Sequence, residues 1–384
     1  MLKYLSILFL FAFLGWSNFV QAKLQITTYN LGLATGYVPF SKERAVILPN
    51  ALKESLRDSK VLCFQEVWNE ADVVRISEEL KEQYPYQILA PKAQKYSSIA
   101  PVCKPKNLFG EGKVITCLRK NCLSKSGDEF TACVSEKCQD AMNLLVGENR
   151  LCANALFAQV GKNPAITILE VLNPFKKIGL FSYEGAVGTM LLSKIPFTSG
   201  SAQFTDLATL STTVHRGILS AQIENEGIKY WVACNHLTAN LSLAAPYAGP
   251  AHSWEEENLV QVEKLVNMAK EKGHDNVKIL MGDFNCGLAS SNVSGDFEKS
   301  CQAIMDQGYS DSLYSKNPDC TYCLDNKIVG MTKEVKSYQL DHTFVSGIEP
   351  SLLENKIVLK NNYPLSNGQN VPLSDHYGLN LILP

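Results

Sequence analysis

The chain has 384 residues, 36 Lys and Arg against 38 Asp and Glu, and a formal net charge of −2. No basic tail or Lys/Arg block stands out, which argues against a protein that grips nucleic acid by counterion release, although a metal ion in a site can supply positive charge locally. The length suits two domains, or one large domain carrying an insertion.

Residues 1–22 read as an export signal. Lys3 gives a positive start, Leu5 to Leu14 form an apolar run, and Val20-Gln21-Ala22 closes it with small residues at cleavage offsets. The run falls short of the roughly 20 residues that a membrane span needs. The mature protein is therefore expected to be soluble, to begin near Lys23, and to be secreted to the periplasm or the extracellular space. All 12 cysteines follow this segment, and an even number in an exported chain reads as disulfides.

The mature chain opens with a strand-like run at Leu24–Tyr29. A helix follows, with Ser41 as its N-cap, Ala45, Leu48, Leu52 and Leu56 on one face, and Pro49 as a kink or true start. Val61–Phe64 is the next buried strand, and Asn69 caps a helix that turns Val73, Ile76 and Leu80 inward. Further strands are expected at Gly185–Ser193, Ile218–Ile223, Tyr230–Asn235 and Lys278–Met281. A helix precedes the last of these, opened by the capping box Ser253-Trp254-Glu255-Glu256 and stopped by Gly273. The chain ends with strands at Thr343–Val345, Ile357–Leu359 and Gly378–Leu383.

Residues 91–160 break this rhythm. They are rich in Lys and Cys, lack strand periodicity, and read as an insertion. Cys103, Cys117, Cys122, Cys133, Cys138 and Cys152 stand 14, 5, 11, 5 and 14 residues apart, a palindrome centred at Gly127-Asp128, where Ser126-Gly127-Asp128 offers turn chemistry. A hairpin there would nest three disulfides, Cys103–Cys152, Cys117–Cys138 and Cys122–Cys133. Cysteines five apart lie roughly 140° apart on a helix, so the arms cannot be ideal helices with every bridge on one face. Zinc is the rival reading, disfavoured because the segment has no His. Cys320-Thr321-Tyr322-Cys323 is expected to be structural, with Cys286 and Cys301 as candidate partners. Cys63 and Cys234, in apolar strands, are either free or paired together.

Hydrolysis of a phosphodiester needs a cation to neutralise phosphate, a base to activate water, an acid for the leaving oxygen and donors for the other oxygens. Polar groups that suit these tasks emerge where apolar strands run out. They are Thr28-Tyr29-Asn30, Phe64-Gln65-Glu66, Asn235-His236-Leu237, Met281-Gly282-Asp283-Phe284-Asn285, Leu340-Asp341-His342 and Ser374-Asp375-His376. Each is weak alone, but the ordered set is specific. It resembles the endonuclease/exonuclease/phosphatase superfamily, which includes deoxyribonuclease I, abasic-site endonucleases, inositol-polyphosphate phosphatases and neutral sphingomyelinases. The likeness runs from Thr28 to Leu379, apart from the insertion.

The resemblance implies an α/β fold, a four-layer αββα sandwich of two mixed sheets, as one catalytic domain over residues 23–384 with the Cys-rich hairpin inserted at about 91–160. It implies a metal-dependent phosphoric ester hydrolase that uses Mg²⁺, or Mn²⁺ or Ca²⁺, and no organic cofactor. By the same resemblance Glu66 is the principal metal ligand, with Asn30 beside it and Asp375 as a second metal ligand or its outer shell. Asp283 orients or deprotonates water, and Asn285 holds a phosphate oxygen. His236 donates to phosphate, and His376 is the general acid/base partnered by Asp341. Arg216 is a candidate phosphate contact. His252, His274 and His342 match no such role and read as structural or exposed.

Two substrate classes compete. A phospholipid, as in bacterial neutral sphingomyelinases, is favoured by Leu192-Ser193-Lys194-Ile195-Pro196, by His236–Ala239 followed by a helix with Gln261, and by Thr321-Tyr322 with Asn326, an element that Cys323 interrupts. The apolar segment Ala165–Phe181, with Lys176 and Lys177, suits a membrane surface, against the plainer reading of a buried helix. The alternative is a secreted nuclease, which the near-neutral charge disfavours. A non-catalytic binding relative is disfavoured by the intact motif set, and no protein partner is evident.

Overall fold

A computed structural model describes residues 23–384 except 36, 92–102, 126–129, 131–132, 135, 158–163, 174, 176–185, 212–213, 243–246, 248, 250, 317 and 333. The expected export signal, the Ser126-Gly127-Asp128 turn, Gly185, and Lys176 to Phe181 of the apolar segment lie outside the described residues.

Two six-stranded mixed sheets form the centre. The first runs β11 (Glu354–Val358), β14 (Gly378–Leu383), β1 (Leu24–Asn30), β2 (Val61–Val67), β4 (Gly188–Ser193), β3 (Tyr86–Leu89). The second runs β5 (Gln203–Asp206), β6 (Gly217–Asn225), β7 (Ile228–His236), β8 (Val277–Asp283), β10 (Asp341–Ser346), β9 (Ser310–Asp311). Each sheet contains one parallel pair, β1 with β2 and β7 with β8, and its other neighbours are antiparallel. Parallel strands need a crossover, supplied by α1 (Ser41–Ser55) and by α8 (Trp254–Gly273).

Alternation along the strands builds the layers. Val61 and Cys63 face the other sheet, in a core with Ile26, Leu219, Val232 and Ile279. Leu62 and Phe64 face outward onto α1 and α2 (Glu70–Leu80). Trp231, Ala233 and Leu280 of the second sheet face outward onto α8 and α9 (Glu298–Met305). The strands are therefore covered on both faces, which is why they read as continuous apolar runs. The four-layer sandwich is as expected.

Local expectations meet the structure unevenly. Asn69 caps α2 by accepting from the Ala71 amide, and Ser253 caps α8 by accepting from Glu256. Ser41, however, is the first helical residue rather than a cap, and Phe40 before it makes no capping bond. Pro49 does not start α1; it lies inside. A proline there cannot donate to the carbonyl four residues back, and Arg75 Nη1 supplies that bond, 3.1 Å from the Ala45 oxygen. β3 was not expected: its four residues are only half-buried to exposed and give no periodic signal.

The insertion is helical and occupies the connection from β3 to β4. It holds α3 (Pro105–Leu108), α4 (Val114–Asn121), α5 (Gln139–Glu148), α6 (Arg150–Phe157) and α7 (Pro164–Leu172) around a small apolar core that includes Leu108, Val114, Met142, Leu145 and Val171. Cys103–Cys152, Cys117–Cys138 and Cys122–Cys133 are bonded as the palindrome suggests. The angular objection is met because α4 ends at Asn121 and Cys122 is already outside it. The remaining pairs are Cys63–Cys234, which links the two sheets, Cys286–Cys301 and Cys320–Cys323, so no cysteine is free. Non-reducing peptide mapping of the purified protein should recover these six pairs. Replacing Cys63 and Cys234 together by Ala should lower unfolding free energy by about 2–5 kcal/mol, and an unchanged denaturation midpoint would contradict that.

Candidate active site

The carboxyl ends of the two parallel pairs meet at one end of the sandwich. Asn30 and Asp283 are the last residues of β1 and β8, Glu66 is next to last in β2, and His236 closes β7. Two backbone features set this end. Glu66 sits at an irregularity in the pairing of β2 with β4 and has φ 60°, a left-handed value rare for a non-glycine residue. Such strain persists only where surrounding structure imposes it. Gly282 lies so close to β7 that an added Cβ would stand 2.1 Å from the Asn235 carbonyl oxygen, so the Gly-Asp pair is needed to bring Asp283 beside His236.

The side chains then converge. Asn30 Nδ2 donates to Asp283 Oδ2 across the sheets at 2.8 Å, and Asn30 Oδ1 accepts from the Gly32 amide. Asp283 Oδ1 accepts from the Asn285 amide, and Asn285 Nδ2 donates to the Leu237 carbonyl. His236 Nε2 lies 3.6 Å from Asp283 and 4.0 Å from Glu66. His376 Nδ1 and Asp341 Oδ2 lie 2.7 Å apart, which leaves His376 Nε2 for another partner. Asp375 rests on Gly32, where a Cβ would come within 2.2 Å of its Oδ1. Arg216 is buried with its guanidinium over Trp68, 5.9 Å from the ring centre. All nine residues singled out from the sequence thus belong to one end of the fold. Asn30 and Asn285 already spend hydrogen bonds on tying loops together, a structural duty the sequence did not reveal.

Charge is the dominant feature. Burial, then the nearby Asp375 and Asp283 carboxylates, push Glu66 up to about 7. Burial, then Asp341, push Asp283 up to about 6. His236 is held well below the ordinary histidine value by burial and then by the positive charge of Arg216, so it is a neutral donor. For His376, burial acts downward, but Asp341, Asp375 and Asp283 outweigh it and raise it to about 10. Burial lowers Arg216 to about 10, opposed by Asp283 and Glu66.

Unmet hydrogen-bond capacity of both signs accompanies this crowding. Among the described residues, Glu66 Oε2 and Asp341 Oδ1 are buried acceptors without a partner, and Arg216 Nε and Nη1 are buried donors without one. Such groups are costly unless something binds them. A divalent cation suits the carboxylate side, where the Asp375 and Asp283 charges act on Glu66. Asp283, Asp341 and His376 also lie near enough to share an ion. The short Asp341–His376 bond instead marks that pair as a hydrogen-bonded dyad.

Arg44 and Asn258 escaped the sequence reading, and Thr321, Tyr322 and Asn326 entered it only as an element bearing on the substrate class. Arg44, buried, donates to the carbonyls of Leu31, Gly32, Pro39 and Leu373 and so ties the loop after β1 to the loop before β14. Asn258 donates to the Thr238 and Phe284 carbonyls and joins the His236 and Asp283 loops. Polar Glu257, Asn258 and Gln261 on the buried stripe of α8 were the available signal. Thr321 Oγ1 accepts from the Leu340 and Asp341 amides, its carbonyl accepts from Tyr377, and Asn326 donates to the Ser374 carbonyl. The Thr321-Tyr322…Asn326 element therefore holds the Asp341–His376 dyad, and the Tyr322 ring stands 5.2 Å from that of His376. His342 is structural, as expected. It bonds Asp311 at 2.6 Å and the Cys286 carbonyl at 2.8 Å.

No protein-family model matches the chain, and no curated protein does either. Solved structures do. SmcL aligns at TM-score 0.57 and 14% identity, over 94% of this chain and 99% of its own. The chain has the fold of the endonuclease/exonuclease/phosphatase superfamily. Other proteins of this fold include a beta toxin from Staphylococcus aureus with bound magnesium ions (TM-score 0.53, 12% identity, 94% of this chain and 100% of that one). A sphingomyelinase C from Streptomyces griseocarneus shares it too (0.52, 14%, 94% and 99%).

Two expectations follow. Gly32→Ala should displace Asp375 and lower hydrolysis of bis(p-nitrophenyl) phosphate by ~10-fold or more with the near-ultraviolet dichroism unchanged; an unchanged rate would show that the close approach is unimportant. For His342, burial acts downward, but the bond to Asp311 and its charge outweigh it and raise the group. A raised folded value stabilises fully below the ordinary histidine value and loses that stabilisation as pH rises through the raised one. The urea-unfolding difference between wild type and His342→Gln should therefore shrink from mildly acidic to alkaline pH, and a pH-independent difference would refute the charged pair.

Proposed function

We propose that the protein is a secreted, divalent-metal-dependent phosphodiesterase that cleaves the head-group phosphodiester of a phospholipid. The observation that carries this reading is the coexistence of partnerless buried acceptors on Glu66 and Asp341 with partnerless buried donors on Arg216. One end of the site wants a cation and the other an anion, as a metal–phosphate pair provides. Six disulfides support an oxidising compartment, and Met1–Ala22 supplies the export signal.

In this mechanism Glu66 and Asp375 would hold the cation. Bound there, it would supply charge neutralisation and Lewis-acid polarisation of phosphate. Arg216 and the neutral His236 donate to the non-bridging oxygens. Asp283, oriented by Asn30 and the Asn285 amide, takes a proton from water. The new P–O bond forms from that water as the bond to the leaving oxygen breaks. His376, kept protonated by Asp341, gives its proton to that oxygen. Thr321 and Asn326 keep the dyad in register.

The sphingomyelinase C of the same fold supports the lipid class, as do the Thr321-Tyr322 and His236–Ala239 elements. The test is hydrolysis of sphingomyelin vesicles and of plasmid DNA, side by side, with Mg²⁺ and with chelator. Chelator-sensitive release of phosphocholine alone is expected, and DNA cleavage alone would replace the lipid reading by a nuclease. Glu66→Gln and His376→Ala should each reduce turnover by at least ~10²-fold while remaining folded; near-full activity in either would remove the assigned roles.

A further inference from the structure

We propose that the helical insertion carries a docking surface for an anionic phospholipid membrane. Charge is divided sharply along the chain. Of its 36 Lys and Arg, 13 lie between β3 and β4, at residues 90–187, as do 8 of its 38 Asp and Glu. That stretch is therefore +5 and the rest of the chain −7. A near-neutral total conceals a basic insertion on an acidic body.

The same stretch presents apolar side chains to solvent. On α7, Ile168, Val171 and Leu172 pack into the insertion's own core. Ile166 and Leu169, three residues apart and so on one helical face, are 51% and 71% exposed, and Phe175 just beyond the helix is 93% exposed. A lone exposed apolar residue is ordinary. Three within ten residues, on a helix whose other face is already packed and in a stretch that is basic by sequence, suit an interfacial helix. Such a helix sinks apolar groups to the acyl boundary while basic groups meet the head groups. A second copy of the chain is a poorer occupant, because two basic insertions repel.

Topology roots the insertion at the site's end of the sheet. β3 leaves the sheet after Leu89 and β4 re-enters at Gly188, which pairs with Val67, next to Glu66. Both ends of the insertion thus emerge at the end of the sandwich that holds the carboxylates. Arg150 Nη1 of α6 also donates to the Gly249 carbonyl, in the connection from His236 to α8. A membrane bound by the insertion would then be tethered to the end of the fold that holds the reacting centre.

This surface rests on the phospholipid reading for its purpose, but its test does not. Purified protein, with chelator present to prevent turnover, is floated with vesicles of phosphatidylcholine alone or mixed with phosphatidylglycerol. The mixed vesicles should bind ~10-fold more protein, with the excess lost in high salt. Leu169→Glu combined with Phe175→Glu should cut that binding ~10-fold, and so should Ile166→Glu separately, while metal-dependent hydrolysis of water-soluble bis(p-nitrophenyl) phosphate stays within about twofold of wild type. Equal flotation with both vesicle types, or full binding by these variants, overturns the proposal. So does a wild-type dimer, seen by light scattering, that the double variant dissociates. Binding that follows these variants but brings no lipid hydrolysis upholds the surface and removes the phospholipid reading of the site.

Discussion

The structure turns on the repulsion among four carboxylates gathered where the two sheets end. Two like charges about 4 Å apart repel by about 4 kcal/mol at an effective dielectric of about 20. An ordinary hydrogen bond, worth about 1 kcal/mol net, cannot hold such a group together alone. Burial first and the neighbouring carboxylates second raise Glu66 and Asp283 in pKa, while Asp341, Asp375 and Asp283 outweigh burial and keep the proton on His376. Arg216 answers the repulsion with a buried guanidinium whose donors stay partly unmet. What remains is a site that a cation and a phosphate together would complete.

The scaffold tolerates this because it is stitched on both sides of the cluster. Asn30 reaches across the sheets to Asp283, and Cys63–Cys234 links β2 to β7 a few residues below Glu66 and His236. Arg44 binds four carbonyls behind Asp375, and Thr321 holds the backbone of Asp341. Apart from the Asn30–Asp283 bond, which lies within the site, these contacts constrain the backbone behind it, so a centre with opposed charges stays in place before any ligand arrives. The insertion joins the same end of the sheet as Glu66, and so sets beside the charged site a surface of different chemistry.

The sequence by itself placed most of the strands that carry the site, the order of the six polar motifs and the nested cysteines. Those signals are local: an apolar run that stops at Glu66 or Asp283, or a palindrome of spacings, is visible without knowing what lies opposite. It also carried the basic insertion, though only as a count that the acidic remainder cancels. Tertiary structure alone decided the rest. The left-handed turn at Glu66, the closeness of Gly32 to Asp375, the Ala45 carbonyl released by Pro49 and taken by Arg75, and the pairing of Asn30 with Asp283 all join residues distant in the chain or depend on a backbone angle that neighbouring residue types do not dictate. The exposed face of α7 belongs with them, because an apolar helix is equally compatible with core or surface until its other face is seen to be packed.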